Sequence, residues 1–202
     1  MMLALSHAAK SFAGSNLYYA VGLTDAQSTT LLEGLQNAGV KVLRVWLDGQ
    51  QGTVKGTKLN DLNSLQGDGP NDYDDTVLNR LDDFMVKAHD HGIKLLISVH
   101  SYNALKGKSD FYENWYGTGD FYTNDEAIGY FKDRIAHVLA HVNPTNGKTL
   151  AESSEYIFAF EAQNEAMHQQ GWDYEVGIGG VNWEALKDAG VEAEFDFSAT
   201  LE

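Results

Sequence analysis

The chain has 202 residues, 43% of them hydrophobic, enough for one sizeable core. Its 29 acidic and 14 basic residues leave a net charge of −15, a surface that repels phosphate backbones and excludes nucleic acid as a partner. With no Cys, disulfides, thiolate metal sites and a Cys nucleophile are excluded too, and no apolar run approaches the roughly eighteen residues of a membrane span.

A neutral polymer such as a polysaccharide meets no electrostatic penalty on such a surface. The ten Tyr and four Trp suit sugar stacking, and suit an ordinary large core equally well. Met1 to Ala9 is mildly apolar but lacks a basic n-region and a full h-region, so no intact signal peptide is expected.

In chain order, Asn16-Leu-Tyr-Tyr-Ala-Val reads as a first strand. Thr24 then offers a helix cap, Leu31, Leu32 and Leu35 form an apolar stripe, and Gly39 stops the helix. Lys41 to Asp48 is the second strand, hydrophobic throughout its core except for Arg44. Gly49 to Asn71 is rich in Gly, Asn, Asp and Gln and reads as a long loop without apolar period. Asp74 to His91 predicts a helix with Val77, Leu78, Leu81, Phe84, Met85 and Ala88 on one face, ended by Gly92.

Lys94 to His100 is the third strand, and Ser101 to Thr123 an aromatic-rich loop holding Trp115. Asn124 or Asp125 caps a helix to about Val142, with Ile128, Phe131, Ile135, Val138 and Leu139 inward. Tyr156 to Ala162 is the fourth strand. Further on, Trp183 to Ala189 suggests a short helix, and the alternation from Glu192 suggests a strand with one wet face. No repeat or interdomain linker interrupts the order.

Strands alternating with helices mean a parallel sheet with right-handed crossovers. The closure is either an open doubly wound sheet or an eight-stranded barrel. Long segments follow strand C-termini and tight turns lie at the other end, an asymmetry that both closures share.

The fourth strand ends in Gln163, Asn164 and Glu165. Burial at a strand exit raises a carboxyl pKa unless a partner offsets it, and that is one way to make a general acid. Glu165 is therefore read as a proton donor. Arg44, His100 and Asn164 are expected on the same face, where an amide holds a sugar hydroxyl and Arg44 stabilises a carboxylate. A structural reading stands beside this: satisfied polar groups, with Glu161 as the ion-pair partner of Arg44. Trp46 and Trp115, at or beyond strand ends, are platforms for a sugar ring or rim packing. His137 and His141 stand four apart without the Glu of a metalloprotease motif, and read as solvated helix-surface residues, as do His89 and His91. No metal or other cofactor is expected. The absence of Gly-x-Ser-x-Gly removes the nucleophile elbow of an open-sheet hydrolase.

These segments together resemble glycoside hydrolase family 5, the cellulase-like barrel enzymes of clan A, and within it fungal endo-β-1,4-mannanases. The resemblance rests on Phe12-Ala-Gly-Ser-Asn-Leu-Tyr-Tyr19, Gly39-Val-Lys-Val-Leu-Arg-Val-Trp46, Glu113-Asn-Trp-Tyr-Gly117, Phe121-Tyr-Thr-Asn124 and Phe160-Glu-Ala-Gln-Asn-Glu165, in that order. It implies a (β/α)8 barrel of TIM type, here about the first four βα units, in a single incomplete catalytic domain over 1–202. The similarity spans about 11–168, and 169–202 is a tail.

It further implies retaining hydrolysis of a β-linked polysaccharide or oligosaccharide, mannan preferred over glucan, outside the cell. Glu165 would be the acid/base, with Arg44, Trp46, His100, Trp115 and Asn164 around the substrate. The family's nucleophilic Glu, on a seventh strand about 5 Å from the acid, has no identified counterpart here. A half barrel that binds sugar without cutting it is the alternative function, and a chain without a stable fold is the third possibility.

Overall fold

Parallel strands alternate with helices along the chain. The computed structural model describes residues 12–107, 110–115 and 120–164. Its elements are β1 (Ala13–Asn16), α1 (Asp25–Asn37), β2 (Val40–Trp46), β3 (Thr53–Val54), β4 (Thr57–Lys58), α2 (Thr76–Asp90), β5 (Lys94–Ser98), α3 (Tyr102–Gly107), α4 (Asp125–Ala140) and β6 (Ile157–Glu161). The main sheet has the order β1-β2-β5-β6, and each neighbouring pair is parallel.

Local chemistry sets the helix ends. The Thr24 hydroxyl accepts from the Gln27 backbone, and the Gln27 side chain accepts from the Thr24 N–H, which closes a capping box on α1. Gly39 and Gly92 follow α1 and α2 at φ +76° and +70°, where a side chain would be strained. Asn124 caps α4 by accepting from the N–H groups of Glu126 and Ala127. The six residues expected to face inward from α2 are all buried, none more than 4% exposed. They pack on Leu43, Val45, Leu95 and Ile97, the outer-facing residues of β2 and β5, which are wholly buried. Each such side chain contributes about 1.5–3 kcal/mol of burial.

The other sheet face is concave. Phe12 and Phe158, from opposite edges, meet with ring centroids 5.0 Å apart. In a flat sheet three strand spacings would hold them about 14 Å apart. The sheet therefore curls as a barrel wall does, and the open doubly wound alternative falls. Both rings remain about half exposed, at 52% and 47%.

Several segments depart from expectation. The first strand lies earlier, at Ala13–Asn16, and Ala20–Gly22 forms a 3-10 turn instead. Gln50 is the cause: its side chain accepts from the Gly22 N–H at 2.6 Å and donates to the Trp46 and Tyr18 carbonyls at 3.0 and 3.3 Å. Those bonds outweigh the β-propensity of Tyr18 and Tyr19. The 49–71 segment contains the β3–β4 hairpin, turned through Lys55 and Gly56 at φ 48° and 82°. Leu59, Leu62 and Leu65 are buried beneath it, an apolar spacing of three that the polar composition hides.

The 101–123 segment likewise holds α3 and two 3-10 turns, Phe111–Trp115 and Asp120–Tyr122. His137 and His141 are only partly exposed, at 29% and 10% of their side chains. They pair with Asp75 at 2.7 Å and Asp82 at 2.9 Å, and the His137 ring stacks on Tyr73 at 3.9 Å. These contacts join α4 to α2 and its approach. His91 is half-buried, with Nδ1 2.8 Å from the Lys87 carbonyl, while His89 is exposed. Glu165, the 169–202 tail and the helix and strand expected there lie outside the described residues.

Candidate functional site at the strand C-terminal rim

Register places the polar residues. Asn16 pairs with Arg44, Arg44 with Leu96, Trp46 with Ser98 and Ser98 with Glu161. Paired residues of parallel strands share a face, so Asn16, Arg44, Trp46 and Glu161 all belong to the concave side. Because that side is curled, one long side chain from β2 reaches both edges. Arg44 Nη1 donates to Asn16 Oδ1 at 3.1 Å. Its Nε and Nη2 donate to Glu161 Oε2 at 2.9 and 2.5 Å, and Nη2 also donates to Asn164 Oδ1 at 2.7 Å.

Asn164 is anchored by its backbone as well. Its N–H donates to the His100 carbonyl at 2.9 Å, and its carbonyl accepts from the Tyr102 N–H at 3.0 Å. The exits of β5 and β6 are thus tied together one residue before Glu165. The Asn164 amide nitrogen is buried and has no hydrogen-bond partner among the described residues, and the same is true of Trp46 Nε1. Trp46 lies against Arg44, whose guanidinium carbon is 5.4 Å from the indole centroid, and against Tyr18 at 4.9 Å. The structural reading of Arg44 is what the geometry shows: it is the ion-pair partner of Glu161, and it also grips the amide of Asn164 at the rim.

His100 has a different place. The ring is wholly buried, with Nε2 3.0 Å from Asp110 Oδ2 and Nδ1 2.9 Å from Gln163 Nε2. Neither nitrogen is left to meet a sugar. Trp115 packs on Phe111 at 5.2 Å and on Tyr130 of α4 at 6.5 Å, in a cluster with Tyr112.

Sequence reading missed four members of this region. Asp110 is 6% exposed; burial alone would raise its carboxyl, but the His100 hydrogen bond, Arg134 and the Tyr112 N–H together hold it below the usual carboxylate range. Arg134 is wholly buried beside it, its Nη1 3.9 Å from Asp110. Asp48, at the exit of β2, accepts a short hydrogen bond from the Ser101 hydroxyl, and burial pushes its carboxyl up. Tyr122 donates its hydroxyl to Gln163 Oε1 at 2.8 Å. Only Arg134 had a visible signal, since it continues the inward stripe of Ala127, Phe131 and Val138.

Arg44→Met is expected to lower stability by about 1–3 kcal/mol in chemical denaturation, because it strips charged hydrogen bonds from Glu161 and Asn164 in a partly solvated site. Arg44→Lys restores less than half of this, since an ammonium cannot span three acceptors held on different strands.

Among the described residues no group of three or more His, Asp or Glu is placed to hold a metal ion, and no helix is long and apolar enough to cross a membrane. A curved parallel sheet with its polar residues gathered at the strand C-termini is the frame of a (β/α)8-type barrel, whose sites lie at that end. The family model for cellulase, glycosyl hydrolase family 5, matches residues 6–193. The chain belongs to glycosyl hydrolase family 5.

Its relatives include mannan endo-1,4-beta-mannosidase 5 of Solanum lycopersicum, 30% identical over 172 residues that cover 78% of this chain and 39% of that protein. Mannan endo-1,4-beta-mannosidase A of Podospora anserina is 33% identical over 164 residues, covering 76% and 40%. The endo-1,4-beta-mannanase structure from Rhizomucor miehei superposes with a TM-score of 0.56 at 25% identity, over 76% of this chain and 43% of that one. The chain spans about two fifths of the length of the curated relatives it matches.

Proposed function

We propose that the chain carries the acid/base half of a retaining β-glycan hydrolase site, with β-1,4-mannan as the preferred polymer and Glu165 as the proton donor. The observation that supports it best is the 2.7 Å bond from Arg44 to Asn164 at the strand rim, one residue before Glu165, in a member of this family. Arg44 fixes the Asn164 oxygen and leaves the amide N–H₂ as a donor for a sugar hydroxyl. Trp46 offers an indole edge beside it. Glu165 protonates the glycosidic oxygen as the bond breaks, then takes a proton from the water that releases the sugar.

Glu161 is read here as the ion-pair partner of Arg44, which holds its Oε2 at 2.5 Å, and no second carboxyl is assigned to the mechanism. Names of the relatives favour mannan; a surface of −15 net charge favours a neutral polymer over an anionic one. Action on a polysaccharide fits work outside the cell.

Release of new reducing ends from β-1,4-mannan by the purified chain tests this, with β-1,4-glucan run in parallel. Faster release from mannan is the expected result. Binding of mannooligosaccharides without any reducing-end release would instead favour a sugar-binding role. Turnover of glucan alone would overturn the substrate assignment.

A further inference from the structure

Gln163 stands at the rim directly before Asn164, yet the mechanism above does not employ it. It is 8% exposed, and both ends of its amide are engaged. Tyr122 donates to Oε1 at 2.8 Å, and Nε2 lies 2.9 Å from His100 Nδ1. On the far side of the ring, Nε2 of His100 lies 3.0 Å from Asp110 Oδ2, with Arg134 3.9 Å beyond.

Hydrogen-bond bookkeeping allows one arrangement for a neutral ring. Asp110 is a carboxylate and can only accept, so His100 Nε2 carries the hydrogen. Nδ1 is then a bare acceptor and takes the Gln163 N–H, which leaves Oε1 for the Tyr122 hydroxyl. The relay therefore runs Tyr122 to Gln163 to His100 to Asp110, each donor facing an acceptor.

We propose that Gln163 is a positioning residue: clamped by Tyr122 and the Nε2–H tautomer of His100, it sets the orientation of Asn164 against Arg44, and His100 acts on the reaction only through it. This rests on the hydrolase reading for its effect on turnover, but not for its effect on Asn164. The clamp lies on the neighbouring residue in the chain, beyond the end of β6 and past a bend at Ala162, where Gln163 bonds Tyr122 and His100 while Asn164 bonds Arg44. Gln163 thus anchors the β6 exit beside Asn164. Displacement of reacting groups by about 1 Å costs on the order of 100-fold in rate.

The test is side-chain NMR on the ¹⁵N-labelled full chain, with turnover on mannan measured beside it. In the wild type, His100 Nδ1 is expected as an unprotonated acceptor and Nε2 as N–H, and Asn164 is expected to show one resolved pair of amide protons. Gln163→Met should collapse the Asn164 pair towards free-amide positions and lower kcat and kcat/KM together, by about 100-fold. Gln163→Glu keeps the shape and the Tyr122 contact but removes the donor, so it should place hydrogens on both His100 nitrogens.

A folded Gln163→Met whose Asn164 signals match the wild type overturns the proposal. If that variant does not fold, Gln163→Glu decides: an unchanged His100 proton pattern overturns it, and a doubly protonated ring supports it. A wild type that neither binds nor cuts mannan while these signals behave as expected removes the hydrolase reading and leaves the clamp standing.

Discussion

Replacing Arg134 by Met is expected to cost about 3–5 kcal/mol of stability, because it leaves the buried Asp110 carboxylate without its cation. The guanidinium is wholly buried, donates twice to the Val99 carbonyl at 3.3 and 3.1 Å, and lies 6.0 Å from the Tyr112 ring centroid. Met fills much of the aliphatic stem, so the loss is chiefly of charge and hydrogen bonds rather than of packing.

The sign of the pH dependence separates those causes. The folded Asp110 carboxyl is held below its ordinary value, so its contribution is present above the ordinary carboxylate range and disappears as pH falls through the folded value. The deficit of Arg134→Met should therefore be largest near neutral pH and shrink in acid, where Asp110 takes up a proton. Adding Asp110→Asn to Arg134→Met should recover part of the loss at neutral pH. Urea unfolding of the wild type, Arg134→Met, Asp110→Asn and the double variant across this range is the measurement. A deficit that stays constant with pH would mean that the stem, and not the charge, is what the core misses.

Much of the architecture was legible because apolar residues at period 3.6 or in continuous runs leave few alternatives. The stripe from Val77 to Ala88 is buried as read, and β2, β5 and β6 end within two residues of their expected limits. The first strand was legible only in part: the family-like segment Phe12 to Tyr19 contains Ala13–Asn16, but the strand read over Asn16 to Val21 does not form, and Gln50, 28 residues on, bonds Gly22 there. Period and propensity carry no record of such a bond. Pattern alone left the closure open, whereas the resemblance implied the barrel; the curl shows where Phe12, just before β1, meets Phe158 of β6 at the opposite edge.

The site divides the same way. Arg44, Asn164 and Glu161 were readable as polar interruptions of apolar strands, and they do converge. His100 was readable as a strand-end residue but not as a buried one, since its partner Asp110 comes from an irregular segment. The helix histidines show the reverse error. A polar residue on a helix surface is taken for solvated, but His137 and His141 face the neighbouring helix and its acids.

Glu165 carries the chemistry of the proposal, and its effect is expected to be the largest on rate. A positioned general acid contributes on the order of 10²–10⁴-fold, and Gln in its place keeps the shape and hydrogen bonding while losing the proton. The decisive measurement is the rate of reducing-end release from β-1,4-mannan by the wild type and by Glu165→Gln, with mannooligosaccharide binding measured on both. Turnover that falls by at least about 100-fold while binding persists is the predicted result. Turnover that survives the substitution unchanged would contradict the account.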